Sequence, residues 1–254
     1  MENKPVNIFW TGGWDSTFRV LQLLIEEKRR VQPHFVVRSQ ASVGHEIKTM
    51  IDIRRQIFRN FPDTRSLLRP TKYYDILYID KNIDKNKEIK AHFERIKASS
   101  YLANQYIFLA SLCNHYSLMD VEMCAVKSGS VTNLLKPLLT KVDDSIFVLN
   151  SKKCESEFQK SIYELFKYYR FPVMHLSKLH AGKIAKENGF SHLMKMTWFC
   201  ATPINGKPCG FCGPCIDAIK MGLPDRIPFI NRQISRLHLP LRNIYRKRFK
   251  SYRT

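Results

Sequence analysis

The chain has 254 residues, enough for one sizeable α/β domain plus an accessory piece, and its 44% hydrophobic content is ordinary for a globular protein. No apolar run approaches the length of a membrane span, and Met1-Glu2-Asn3-Lys4-Pro5 leads straight into a short strand with no signal peptide, so a soluble, cytoplasmic protein is expected rather than an integral membrane one. The formal net charge of +20 is unevenly placed: Arg226 to Thr254 hold seven Arg and two Lys and no acidic residue.

In chain order, strand-like runs fall at residues 6–10, 33–38, 74–79 and 121–126. Helical patterns lie between them, at about 16–29, 45–60, 86–98 and 101–116. Strands alternating with helices predict βαβ units and an α/β, doubly wound, mainly parallel sheet. Right-handed crossovers then bring the loops after each strand to one edge, where ligands of such folds bind. Residues 127–152 are less regular, and Ser128-Gly129-Ser130 reads as loop. Helical patterns resume at 155–169 and about 179–188, the latter stopped by Gly189.

The first strand ends in Thr11-Gly12-Gly13-Trp14-Asp15-Ser16-Thr17, and Phe18, Leu21, Leu24 and Ile25 then recur at helical spacing. Glycines let a backbone approach a ligand closely, the first amides of a helix lack internal partners, and the helix dipole adds positive potential. The turn therefore suits a phosphate. It also reads as a tight strand-to-helix turn, capped by Asp15 or Ser16, with nothing bound. It is neither a Walker loop, which needs a Lys before the Ser/Thr, nor a Gly-x-Gly-x-x-Gly loop.

Four of the seven cysteines are bunched: Cys200, Cys209, Cys212 and Cys215. Cys-x2-Cys spacing lets two thiolates share one metal through a tight knuckle, and four thiolates close a tetrahedral structural Zn²⁺ site. Disulfides are disfavoured without an export signal, and a redox pair needs only two thiols. The bacterial iron–sulfur pattern also begins Cys-x2-Cys-x2-Cys, but it continues with a further Cys after three intervening residues, and here Ile216-Asp217-Ala218 is followed by Ile219. Cys113 and Cys124 fall in apolar runs and are expected to be packed.

Thr11-Gly12-Gly13-Trp14-Asp15-Ser16 resembles the PP-loop of the N-type ATP pyrophosphatases, Ser-Gly-Gly-x-Asp-Ser, with Thr11 in place of the first Ser. Together with the cysteine cluster it resembles the 7-cyano-7-deazaguanine synthase family. Further similar stretches are Gly44-His45-Glu46, Asn104 with Phe108-Leu109-Ala110, Pro172 to Leu176-Ser177-Lys178, and Thr197-Trp198-Phe199-Cys200. The family's Tyr-Pro-Asp-Cys-Arg segment corresponds to Ser151-Lys152-Lys153-Cys154-Glu155, with both charges reversed. Such a reversal alters the substrate if these residues line the pocket and changes nothing if they only exchange a surface ion pair. The resemblance covers about residues 6 to 222 and leaves the basic tail out.

The resemblance implies a PP-loop domain over 1–190 and a zinc-binding segment over 191–222, and the charge pattern marks a basic tail over 223–254. It implies that Thr11, Gly12, Gly13, Asp15, Ser16 and Thr17 hold ATP, with Asp15 also positioning Mg²⁺ and Lys178 pairing with a phosphate or serving only as a surface Lys at a helix start. Asp15, Ser16 and Lys178 would then be catalytic. The reaction implied is adenylation of a small carboxylate with release of pyrophosphate, then acyl transfer to ammonia or an amine, in a monomer or a homodimer. Two alternatives stand beside it: a tRNA-modifying enzyme on the same loop that binds nucleic acid or another polyanion through its tail, and a non-catalytic nucleotide-binding module.

Overall fold

The computed structural model describes residues 4–38, 40–83, 86–125, 130–143, 145–220 and 223–233. The chain divides into two compact units, Met1–Arg38 with Thr49–Thr197 and Ser39–Lys48 with Trp198–Thr254. Among the described residues no helix is long and apolar enough to cross a membrane.

The first unit is built on a five-stranded sheet of β1 (Val6–Phe9), β2 (Val31–Val37), β3 (Lys72–Asp75), β4 (Val121–Glu122) and β7 (Tyr169–Arg170), in the order β3-β2-β1-β4-β7 with every pairing parallel. A separate antiparallel hairpin joins β5 (Leu139–Lys141) to β6 (Phe147–Leu149). From β1 the chain first grows the sheet toward β3 and then returns to lay β4 on the other side of β1. Right-handed crossovers put α1 (Trp14–Leu21) and α2 (Val43–Asn60) on one face. They put α3 (Ile76–Ile83), α4 (Lys87–Ser99), α5 (Gln105–His115), α6 (Ser130–Leu135) and α7 (Glu157–Phe166) within the connections of the other half. Phe93, Ile96, Leu112, Leu165, Phe166 and Phe171 pack into one buried cluster there. On the α1 side, Phe18 meets Phe190 at 6.0 Å, next to α9 (Ser191–Met194), which follows α8 (Lys178–Glu187).

Several elements differ from their sequence reading for local reasons. The run expected as a strand over 74–79 ends at Asp75, whose Oδ1 accepts the Leu77 amide at 2.8 Å and turns the chain into α3. The first helix begins at Trp14, passes into a π turn over Gln22–Glu26, and stops where Lys28 adopts φ 52°. The helix expected from 101 starts at Gln105, and the 155–169 helix stops at Phe166, leaving Tyr169 and Arg170 to form β7. Of the strand expected over 121–126, Val121–Glu122 pair in the ladder, residues 123–125 continue past it, and Val126 lies outside the described residues. Of the loop read at 128–130, Ser130 opens α6, while Ser128 and Gly129 lie outside the described residues.

Candidate functional site

The sheet reverses its winding between β1 and β4, and in open parallel sheets the crevice outside the strand ends at such a point is where ligands bind. The glycine turn after β1 lies there. Gly12 takes φ +68°, which a residue with a Cβ adopts only under strain, and Gly13 caps α1 without any side-chain bond. The first helical bond runs from the Thr17 amide to the Gly13 carbonyl at 3.0 Å, so the amides of Trp14, Asp15 and Ser16 precede the ladder. Thr11 is exposed, while Gly12 and Ser16 are buried. Thr17 is fully buried, and its hydroxyl oxygen accepts the Trp10 Nε1 proton at 3.0 Å. That bond ties the strand end to the helix and gives Thr17 a structural role.

Asp15 is the unusual member. Its Oδ1 is buried with no hydrogen-bond partner among the described residues. Burial pushes its carboxyl above the ordinary value, while the positive charge of Lys178 pulls it down. Lys178 opens α8, held by the Ser177 hydroxyl oxygen accepting the His180 amide at 3.1 Å. Lys178 thus lies near enough to the glycine turn for its charge to act on Asp15, across a long stretch of sequence. A buried carboxylate oxygen without a hydrogen-bond partner is a group that a bound ligand or ion could satisfy.

Sequence reasoning missed what braces this turn. Arg19, one turn beyond Asp15, is 1% exposed and forks onto Glu122 of β4, itself 2% exposed, with Nε and Nη2 each 2.8 Å from a carboxylate oxygen. Gln22 and Glu27 take its remaining Nη1 bonds. Burial opposes the guanidinium charge, but the bonds to Glu122 and Glu27 prevail and hold Arg19 protonated. The pair joins α1 to β4 within the interior. Cys124 follows Glu122, and burial, with the Glu122 and Asp15 carboxylates close by, keeps its thiol neutral.

The charge-reversed segment has a local use. Lys153 donates its ammonium to the Leu139 carbonyl, strapping the hairpin, and Glu155 is exposed. Neither residue has a described bond to the glycine turn, so the structure gives no support to a substrate-facing role for them.

In the second unit Cys200, Cys209, Cys212 and Cys215 are all buried, with their sulfurs within 4.8 Å of one another. The Cys209–Cys215 and Cys200–Cys212 sulfurs are each 3.9 Å apart. A disulfide would bring them to about 2 Å. Four thiolates around one Zn²⁺ at about 2.3 Å place their sulfurs about 3.8 Å apart, which these spacings match. A cluster of four irons would need the sulfurs further apart. The amides of Cys209 and Cys212 donate to the sulfurs of Cys200 and Cys209 at 3.2 and 3.3 Å, stabilising thiolate. The cluster could therefore hold a metal ion such as zinc. His45 stacks on Trp198 with ring centroids 4.4 Å apart, and Trp198 Nε1 donates to the Cys200 carbonyl at 2.7 Å. Thus two of the similar stretches meet beside the knuckle.

No protein-family model matches this chain, and no curated protein matches it either.

Proposed function

We propose that the chain is a PP-loop ATP pyrophosphatase, resembling 7-cyano-7-deazaguanine synthase, that adenylates a carboxylate and passes the acyl group to ammonia or an amine. The observation that carries this reading is the buried, unpartnered Asp15 oxygen at the head of α1, beside Gly12-Gly13 and opposite Lys178. The amides of Trp14, Asp15 and Ser16, with the Ser16 hydroxyl, would hold the β- and γ-phosphates as they leave together as pyrophosphate. Asp15 would hold Mg²⁺, which neutralises charge on the phosphates when bound. Lys178 would pair with a phosphate oxygen as a point charge. Arg19 and Glu122 would keep α1 in register with β4, so that the turn is already shaped before ATP arrives. The cysteine knuckle is read as structural, since four protein thiolates leave a bound zinc no open position for substrate.

The test supplies ATP, ammonia and 7-carboxy-7-deazaguanine and identifies the products. AMP and pyrophosphate are expected, and Ser16→Ala should abolish their formation while leaving the circular dichroism spectrum unchanged. Release of ADP and orthophosphate, or wild-type turnover by Ser16→Ala, would overturn the assignment. Pyrophosphate release only with a different acid would keep the chemistry and change the substrate.

A further inference from the structure

The second unit carries features that nucleotide chemistry does not use. Phe229 and Ile230 are large, apolar and 65% and 71% exposed. They begin a helical segment whose start is pressed onto the cysteine knuckle. Asn231 Nδ2 donates to the Pro208 carbonyl at 2.8 Å, and a Cβ on Gly210 would lie 2.6 Å from the Asn231 carbonyl oxygen. The knuckle thus holds the start of this helical segment in place. In this unit guanidinium groups lie over aromatic rings: Arg226 over Phe199 at 4.8 Å and Arg232 over Phe229 at 5.7 Å. Beyond Gln233 the sequence adds Arg236, Arg242, Arg246, Lys247, Arg248, Lys250 and Arg253, with Tyr245, Phe249 and Tyr252 among them and no acid.

We propose that the cysteine unit is an RNA-binding surface, on which Phe229 stacks an unpaired base and Arg232 contacts the adjoining phosphate. Charge complementarity selects a polyanion. The aromatic rings select a strand with exposed bases, because each base offers a face for stacking. Arginine outnumbers lysine seven to two from Arg226 onward, and its planar fork matches phosphate oxygens in pairs. Rings covered by guanidinium groups suit stacking better than insertion into lipid. The proposal does not depend on the reading of the glycine turn, and its test contains no ATP, so each can fail alone.

The test measures binding of the full-length, metal-loaded chain to bulk tRNA, to a single-stranded RNA 20-mer, and to vesicles containing phosphatidylserine, across a salt series. RNA binding is expected, with affinity falling steeply as salt rises. Phe229→Ala should weaken the 20-mer by about tenfold with little change in salt slope. Replacing Arg246, Lys247 and Arg248 by Gln should lower the slope by about 0.7 for each phosphate that is no longer neutralised. Phe229 is exposed, so its removal leaves the fold intact, which thermal melting checks. Vesicle binding without RNA binding, or RNA affinity unmoved by Phe229→Ala, would overturn the proposal.

Discussion

At the scale of single residues, the glycine turn holds an energetic conflict. A carboxylate oxygen buried without a partner destabilises the fold whenever it is ionised, and such costs gather at sites awaiting a ligand. Because burial raises the Asp15 carboxyl above its ordinary value, the folded state binds that proton more tightly than the unfolded chain. Its contribution to stability is therefore complete below the ordinary carboxylate value of about 4 and is lost as pH rises through the folded value. Asp15→Asn removes the charge and keeps the shape. The variant should gain in melting temperature on the wild type as pH is raised from about 4 to 7, while losing pyrophosphate release. Melting curves over that range check it, and a variant less stable than wild type at pH 7 would mean that the carboxylate already has a partner. Thr17 teaches the opposite lesson. In the sequence it is one more hydroxyl in a phosphate-type turn, but its bond to Trp10 makes it part of the core.

Among elements, the Arg19–Glu122 fork joins α1 to the sheet. The two residues lie 103 positions apart, and nothing local marks either as buried: at helical spacing Arg19 reads as the polar side of an amphipathic helix. Removing one partner strands the other charge in the interior. Arg19→Met should cost about 3–5 kcal/mol in urea unfolding, whereas Arg19→Met with Glu122→Leu should recover most of it. A double variant as unstable as the single one would show that the fork contributes more than mutual neutralisation. The same limit on local patterns explains the strands. Alternation of strand and helix made the parallel sheet legible, yet β7 has two residues, too few for any period, and only the pairing of Val121 with Tyr169 and Glu122 with Arg170 defines it. The end of β3 was hidden because one Asp side chain, not hydrophobic pattern, turns the chain at Asp75.

For the whole molecule, the cysteine knuckle was legible because its spacing is itself the geometry, whereas the stacking of His45 on Trp198 joins segments that no spacing connects. One zinc per chain is expected by elemental analysis. Stripping it with a strong chelator should raise hydrogen exchange across residues 198–220 while β1 and β2 stay protected, since metal-binding energy is folding energy for such a knuckle. Unchanged exchange at the knuckle would show that it folds without metal. The fork from Arg19 to Glu122 also sets an order of events on the ribosome. The glycine turn is among the first parts of the chain to be made, but β4 emerges 103 residues after Arg19, about 5–20 seconds later at ordinary rates of synthesis. Lys178 comes later still. Until then the nascent turn has no opposite wall, and Arg19 must wait in water for the carboxylate that will let it be buried. Any ligand of the glycine turn would therefore act on a finished fold and not on its growing fragments.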